Sequence, residues 1–210
     1  MPTLTFQSGL FDNETHVLQL PDADLEYRSE FYDGAEAGEL FEQILQETDW
    51  RQDTLTVYGK QHVTPRLTCW MGESWMDYTY SNHTMTAVPW SATLLSIKDK
   101  IERECGNSFN SVLLNYYRDG QDSNGWHSDD EPELGQRPCI ASLSLGAARD
   151  FHLRHKRDKS LKHSINLEHG SLLMMRGNTQ SHWQHHIPKR ANVGARINLT
   201  FRTIVGVAGR

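Results

Sequence analysis

At 210 residues, with 37% hydrophobic and 23% charged positions and a net charge of −6, the chain can bury a sizeable core and reads as a globular protein. No apolar run approaches the roughly 20 residues that cross a bilayer, and the opening MPTLTFQSGLFDNETH has no basic stretch followed by an apolar one, so neither a membrane span nor a secretory leader is expected. Cys69, Cys105 and Cys139 fit neither a disulfide framework nor a zinc pattern and are expected as reduced thiols.

Residues 1–53 hold 13 Asp and Glu against only Arg28 and Arg51, a net of −11, which leaves +5 for the rest. This acidic leader is expected to be solvated surface. Within it, residues 35–49 place Leu40, Phe41, Ile44 and Leu45 at helical spacing and predict an amphipathic helix. Residues 54–80 contain short extended pieces, TLTVYGK and then WMDYTYS, divided by the turn formers Gly59, Pro65 and Gly72. A second helix is expected from about 89–91 to Glu104, with Leu94, Leu95, Ile97 and Ile101 facing inward and Gly106 as its stop.

Beyond Gly106 the pattern is all-β, with extended runs at 111–117, 140–146, 150–155, 164–167, 171–176, 182–187 and 196–205. A parallel α/β fold would need helices between these runs, and none is visible. The expected class is α+β, mainly β, with a double-stranded β-helix (jelly-roll) core. Neither a linker nor a repeat divides the chain, so 1–210 is expected as one domain. The run from Arg149 to Lys159, continued by Lys162 and His163, is strongly basic. It suits phosphate contact or a solvated hairpin equally well.

Trp126-His127-Ser128-Asp129 carries the sharpest chemical signal. Two side chains two residues apart on an extended segment point to the same face. With one distant histidine, His127 and Asp129 complete a 2-His-1-carboxylate facial triad, a set that holds Fe(II) and leaves positions open. The third ligand can come from His182, His185 or His186. Trp183, His185 and Ile187 share a face, and two of these are large apolar residues that point inward, which selects His185. His152, His155, His163 and His169 are expected at the surface.

Residues 196–202, RINLTFR, alternate so that Arg196, Asn198, Thr200 and Arg202 share one face. An inward polar row of this kind is costly unless paired. A carboxylate ligand relieves it, because guanidinium forks match carboxylates bidentately. Asn115 and Tyr117 also share a face and suit the same ligand.

In order and spacing, these segments resemble the AlkB family of Fe(II)/2-oxoglutarate-dependent dioxygenases, most strongly its DNA-repair branch. The likeness runs through Asn115-Tyr116-Tyr117, Trp126 to Glu131, Ser142 to Phe151, Arg154-His155-Lys156, His169 to Met175, His182-Trp183-Gln184-His185 and Arg196 to Arg202, and covers roughly 55–205. The resemblance implies that His127, Asp129 and His185 ligate Fe(2+). It implies that Asn115, Tyr117, Arg196, Asn198, Thr200 and Arg202 hold the cosubstrate 2-oxoglutarate, with O2 as oxidant.

For substrate, it implies a probing hairpin at Tyr58, Gly59 and Lys60, with Tyr58 as the wedge. A stacking lid falls at Tyr78, Thr79 and Tyr80, and Glu131 reads the base edge beside Asp130. On this likeness about 1–53 is an extension and helix, about 54–106 a nucleotide-recognition lid with its supporting helix, and about 107–210 the catalytic core. The implied activity is oxidative demethylation of 1-methyladenine and 3-methylcytosine type lesions in single- or double-stranded DNA, releasing formaldehyde, succinate and CO2.

RNA is a further expected partner, a membrane is not, and a monomer is expected. The expected compartment is the cytoplasm of a bacterium or the nucleus of a eukaryote. The alternatives are an RNA demethylase, a 2-oxoglutarate oxygenase acting on protein or a small molecule, and a non-catalytic metal-binding jelly roll.

Overall fold

A computed structural model describes residues 15–57, 60–73, 77–80 and 83–205, with the backbone alone at 55–57, 60, 62, 77–80 and 83–86. In chain order the elements are β1 (Thr15–Leu18), β2 (Asp24–Arg28), α1 (Gly34–Glu47), β3 (Thr54–Val57), β4 (Lys60–Val63), β5 (Leu67–Gly72), β6 (Asp77–Tyr80), β7 (His83–Thr86) and α2 (Ala92–Cys105). There follow β8 (Ser111–Tyr117), β9 (Asn124–His127), β10 (Ile140–Gly146), β11 (Arg149–His155), β12 (Lys162–Leu167), β13 (Leu172–Arg176), the single turn α3 (Thr179–His182), β14 (Trp183–Ile187) and β15 (Arg196–Arg202).

The two long helices start and stop where local chemistry dictates. The Asp33 side chain accepts from the N–H groups of Ala35 and Glu36, and that of Ser91 from Leu94, which satisfies orphan donors at each N-terminus. Gly106 ends α2 at φ 68°, a left-handed conformation that favours glycine. Leu94, Ile97 and Ile101 are fully buried, but Leu95 is 42% exposed. It lies one residue, about 100° of helical rotation, from Leu94, which turns it off the buried stripe.

A seven-stranded antiparallel sheet runs in the order β1-β2-β13-β10-β15-β8-β5, and a four-stranded one in the order β12-β11-β14-β9. The hairpins β3-β4 and β6-β7 stand apart. The larger sheet buries both faces. Ile197, Leu199 and Phe201 of β15, with Leu143 and Leu145 of β10, pack in one core with Ile44 of α1 and with Leu94, Ile97 and Ile101 of α2. On the opposite face Leu25, Tyr27, Ile140, Leu173 and Met175 meet Phe151, Leu153, Ile165, Trp183 and Ile187 of the smaller sheet. This is the sheet-on-sheet sandwich of a jelly roll.

The acidic leader corrects one expectation. Rather than being wholly solvated, it supplies β1 and β2 to the larger sheet, where β2 pairs with β13 and Leu25 is fully buried. The basic run also differs from a surface ribbon. Arg149 is 1% exposed, and its guanidinium donates to the carbonyls of Asp122 and Pro188. His155, expected at the surface, is buried. Both follow the inward parity of β11, whose odd positions face the smaller sheet's interior. Among the described residues no helix is long and apolar enough to cross a membrane.

Glu26 links β2 to β13 by accepting from Arg28 at 2.8 Å and from Arg176 at 2.9 Å. Burial opposes its ionisation, but Arg176 and Arg28 outweigh burial and hold the carboxyl below its ordinary value. A depressed folded-state value contributes stability above the unfolded value and loses it as pH falls through the folded one. Glu26→Gln is therefore expected to cost roughly 1 kcal/mol at pH 7, with the gap from wild type narrowing as pH falls from about 5 toward 2. Urea unfolding across that range checks it, and a gap independent of pH contradicts it.

Candidate active site

His127 and His185 are direct cross-strand partners on β9 and β14. Their rings lie 4.3 Å apart at 67°, edge to face. Asp129 stands two residues past the end of β9, so the expectation that it shares a strand with His127 is corrected. Its carboxylate still reaches both rings, with Oδ1 3.9 Å from His127 Nε2 and Oδ2 3.7 Å from His185 Nε2. One ligand atom from each residue falls within 4.8 Å of the others, a grouping able to hold a metal ion.

The protonation states suit that role. His127 Nδ1 lies 2.8 Å from the Gly125 carbonyl, so the network assigns the proton to Nδ1 and leaves the Nε2 lone pair toward Asp129. Burial holds His127 below its ordinary value against the opposing pull of Asp129. Burial also takes His185 down to about 3, with the His127 and Arg202 charges adding to it. Both imidazoles are neutral at pH 7 and available as ligands. For Asp129, burial works against the charge, but Arg202 first, then His185 and His127, hold its carboxyl below the usual range. Arg202 Nη2 donates to Asp129 Oδ1 at 2.7 Å with both side chains buried.

The alternation in 183–187 emerges as expected: Trp183, His185 and Ile187 are buried, while Gln184 and His186 are half-buried. His182 sits in α3 rather than on the strand. His186 stacks on Trp126 at 3.8 Å and lies 3.2 Å from His152, away from the triad.

Beside the triad, β15 turns its polar face into the sandwich. Arg196 Nη2 donates to Ser144 Oγ at 2.9 Å, and Asn198 Nδ2 donates to Ser142 Oγ at 2.8 Å and the Leu143 carbonyl at 3.0 Å. Thr200 Oγ1 donates to Asn198 Oδ1 at 3.0 Å. Arg196 is 1% exposed, yet its Nε and Nη1 have no hydrogen-bond partner among the described residues. Burial lowers this guanidinium to about 10, still cationic at pH 7. A buried, charged fork with two donors lacking a hydrogen-bond partner is chemically suited to an anion.

One cleft, with about 550 Å³ free of protein atoms counting open solvent, gathers the whole set. His127, Asp129, His185, Asn115, Tyr117, Arg196, Asn198, Thr200 and Arg202 all line it. So does Arg66, which sequence reading missed. Its Nε donates to Asn115 Oδ1 at 2.7 Å, and only sheet pairing between β5 and β8 brings the two together. Ser142 and Ser144 had a local signal, the serines alternating with leucine in SLSLG.

The expected substrate residues fare differently. Tyr58 and Gly59 lie outside the described residues. Lys60 opens β4, and Tyr78, Thr79 and Tyr80 form part of β6, paired with Met85, Thr84 and His83. Asp130 is exposed and accepts from Lys156 Nζ at 2.8 Å. Glu131 is half-buried at the start of the 3-10 turn Pro132–Leu134.

Comparison with known proteins agrees with this geometry. The family model of the 2OG-Fe(II) oxygenase superfamily matches residues 24–202. The alpha-ketoglutarate-dependent dioxygenase alkB homolog 3 of Bos taurus is 46% identical over 184 residues, which are 83% of this chain and 64% of that protein. The DNA oxidative demethylase ALKBH2 of Bos taurus is 42% identical over 188 residues, 84% of this chain and 67% of that protein. The chain thus spans about two thirds of the length of these curated relatives. A solved structure described as "The structure of OsALKBH1" superposes with a TM-score of 0.62 at 17% identity, covering 89% of this chain and all of that one, a likeness of fold.

The two arginines of β15 are expected to behave oppositely in ligand-free protein. Arg202→Met leaves Asp129 buried without its closest cation and should cost about 3–5 kcal/mol. Arg196→Met removes a buried charge with unmatched donors and should stabilise by about 1–3 kcal/mol. Chemical denaturation without metal or carboxylates reads both, and a larger loss from Arg196→Met than from Arg202→Met contradicts this geometry.

Proposed function

Since the chain belongs to the AlkB branch of the 2OG-Fe(II) oxygenase superfamily, we propose that it oxidatively removes N-methyl groups from alkylated DNA bases, of the 1-methyladenine and 3-methylcytosine type. The observation that carries this reading is the adjacency, in one cleft, of the His127–Asp129–His185 cluster and the Arg196 fork. In this proposal His127, Asp129 and His185 hold Fe(II). Arg196 takes a carboxylate of 2-oxoglutarate, while Asn115, Tyr117, Asn198, Thr200 and Arg202 shape the space around it. When bound, iron with 2-oxoglutarate and O2 supplies an oxidant able to hydroxylate a methyl C–H, while 2-oxoglutarate leaves as succinate and CO2.

The protein's own contribution is positional and electrostatic. The two imidazoles present lone pairs because burial keeps them neutral, and Arg202 keeps Asp129 anionic. Leu113, Phe151, Leu167, Met175 and Ile187 form the apolar lining and limit water. Once the N-methyl group carries a hydroxyl, its C–N bond breaks, formaldehyde leaves and the base is restored. A base stacked in a duplex does not reach so enclosed a cleft, so it is flipped out or supplied single-stranded.

Tyr58, Gly59 and Lys60 are proposed to probe the strand, and Tyr78, Thr79 and Tyr80 to clamp the flipped base. Asp130 and Glu131 face its edge, where the positive charge of these lesions favours a carboxylate. The lid is proposed over about 54–106 and the catalytic core over about 107–210. The chain is proposed to act as a monomer wherever its DNA resides, bacterial cytoplasm or eukaryotic nucleus.

Formaldehyde release and base restoration on matched single-stranded, double-stranded and RNA oligonucleotides carrying 1-methyladenine test this reading. Activity on DNA is expected only with Fe(II) and 2-oxoglutarate, and His185→Ala is expected to lose at least about 100-fold. Turnover without either addition, or inactivity on every methylated DNA, overturns it.

A further inference from the structure

His127 and His185 are fixed by the β9–β14 ladder, but Asp129 lies beyond the end of β9 and belongs to no named strand. Arg202 grips one oxygen of its carboxylate. The backbone is held from elsewhere. The Asp129 N–H donates to Gln180 Oε1 at 3.0 Å, and Gln180 is 1% exposed. Gln180 sits in α3, immediately before the strand that carries His185. The 180–183 stretch is tied to the 128–130 segment twice more: Ser128 Oγ donates to the carbonyl of Trp183, the first residue of β14, at 2.8 Å, and Lys156 Nζ bridges the Gln180 carbonyl at 2.7 Å and Asp130 Oδ2 at 2.8 Å.

The element is also anchored behind. Thr179 Oγ1 donates to the Arg176 carbonyl at 2.6 Å and accepts from the Asp24 N–H at 2.9 Å, which fastens α3 to β13 and β2. Lys156 N donates to the His182 carbonyl at 2.6 Å. Gln180 Nε2 points at Met175 Sδ, 3.4 Å away, and this sets which end of the amide faces Asp129.

We propose that Gln180 is a positioning residue for Asp129, locking the carboxylate-bearing backbone to the segment that presents His185 so that all three ligand atoms stay in register. The inference rests on the iron-binding reading of the triad and deepens it. Gln180 acts through the backbone N–H and not on the carboxylate, so it sets where the ligand stands and leaves its charge to Arg202. Partners of this kind govern metal affinity by about 10–100-fold, because ligands tolerate only small displacement.

The test is Mn(II) titration by electron paramagnetic resonance, with thermal unfolding of the metal-free 210-residue chain in parallel. Gln180→Met keeps the volume and removes the acceptor. It is expected to weaken Mn(II) binding about 10–100-fold and to alter the bound-ion spectrum. Gln180→Glu, which keeps an acceptor oxygen at the same reach, is expected to bind Mn(II) no more than about threefold more weakly than wild type. Asp129→Ala is expected to lose binding.

If Asp129→Ala loses Mn(II) while Gln180→Met binds as wild type, even with a lowered melting temperature, Gln180 serves the fold alone and the proposal falls while the metal centre stands. If Asp129→Ala binds as wild type, the metal reading itself fails and takes the proposal with it. Should Gln180→Met not fold, Gln180→Asn, polar but one methylene too short to reach Asp129, decides by the same titration. Its unchanged affinity is the overturning result.

Discussion

A single buried ion pair, Arg202 with Asp129, organises the centre of this molecule. Asp129 is 2% exposed, and three groups around it lower its proton affinity against the cost of burial. Without the guanidinium, the cost of burial would act on this carboxylate with its first-ranked opposing charge removed, favouring the protonated form. The pair also joins the two sheets, because Arg202 ends β15, an interior strand of the larger one, and Asp129 comes from the segment that follows the edge strand of the smaller.

That arrangement requires a strand buried on both faces with opposite chemistry on each. β15 meets it through strict alternation. Ile197, Leu199 and Phe201 join the helix-covered core, while Arg196, Asn198, Thr200 and Arg202 turn into the cleft. Neighbouring strands complement the polar row in register, Ser142 opposite Thr200, Ser144 opposite Asn198 and Tyr117 opposite Arg196. The approach to β15 is tight as well. Gly146 has φ 90°, and a Cβ there would stand 2.5 Å from the Ala195 carbonyl, so glycine lets β10 close against Arg196. What remains unmatched is the Arg196 fork, whose burial costs stability and which we propose takes an anion.

Much of this was legible from residues because period-two alternation is a local property. The polar face of 196–202 and the selection of His185 by Trp183 and Ile187 both needed only the side-chain repeat of a strand. The helices were legible for the same reason, through their stripe and, for α2, the Gly106 stop, although Leu95 shows how one residue of rotation separates burial from exposure. Contacts set by long-range pairing were not legible. β1 and β2 looked like charged surface because β13, the strand that takes β2 into the sheet, lies more than a hundred residues on. Arg66 reaches Asn115 only through the β5–β8 ladder, and nothing local about Gln180 announces that it holds Asp129.

The central claim is that the carboxylate–histidine cluster and the arginine fork form one composite site for a metal and a dicarboxylate. Anaerobic calorimetric titration of 2-oxoglutarate, with and without a bound divalent metal, addresses it most directly. Binding in the presence of metal is predicted to be about tenfold tighter or more, the coupling expected when two ligands share one site. Equal affinity with and without metal, or no binding under either condition, contradicts the account.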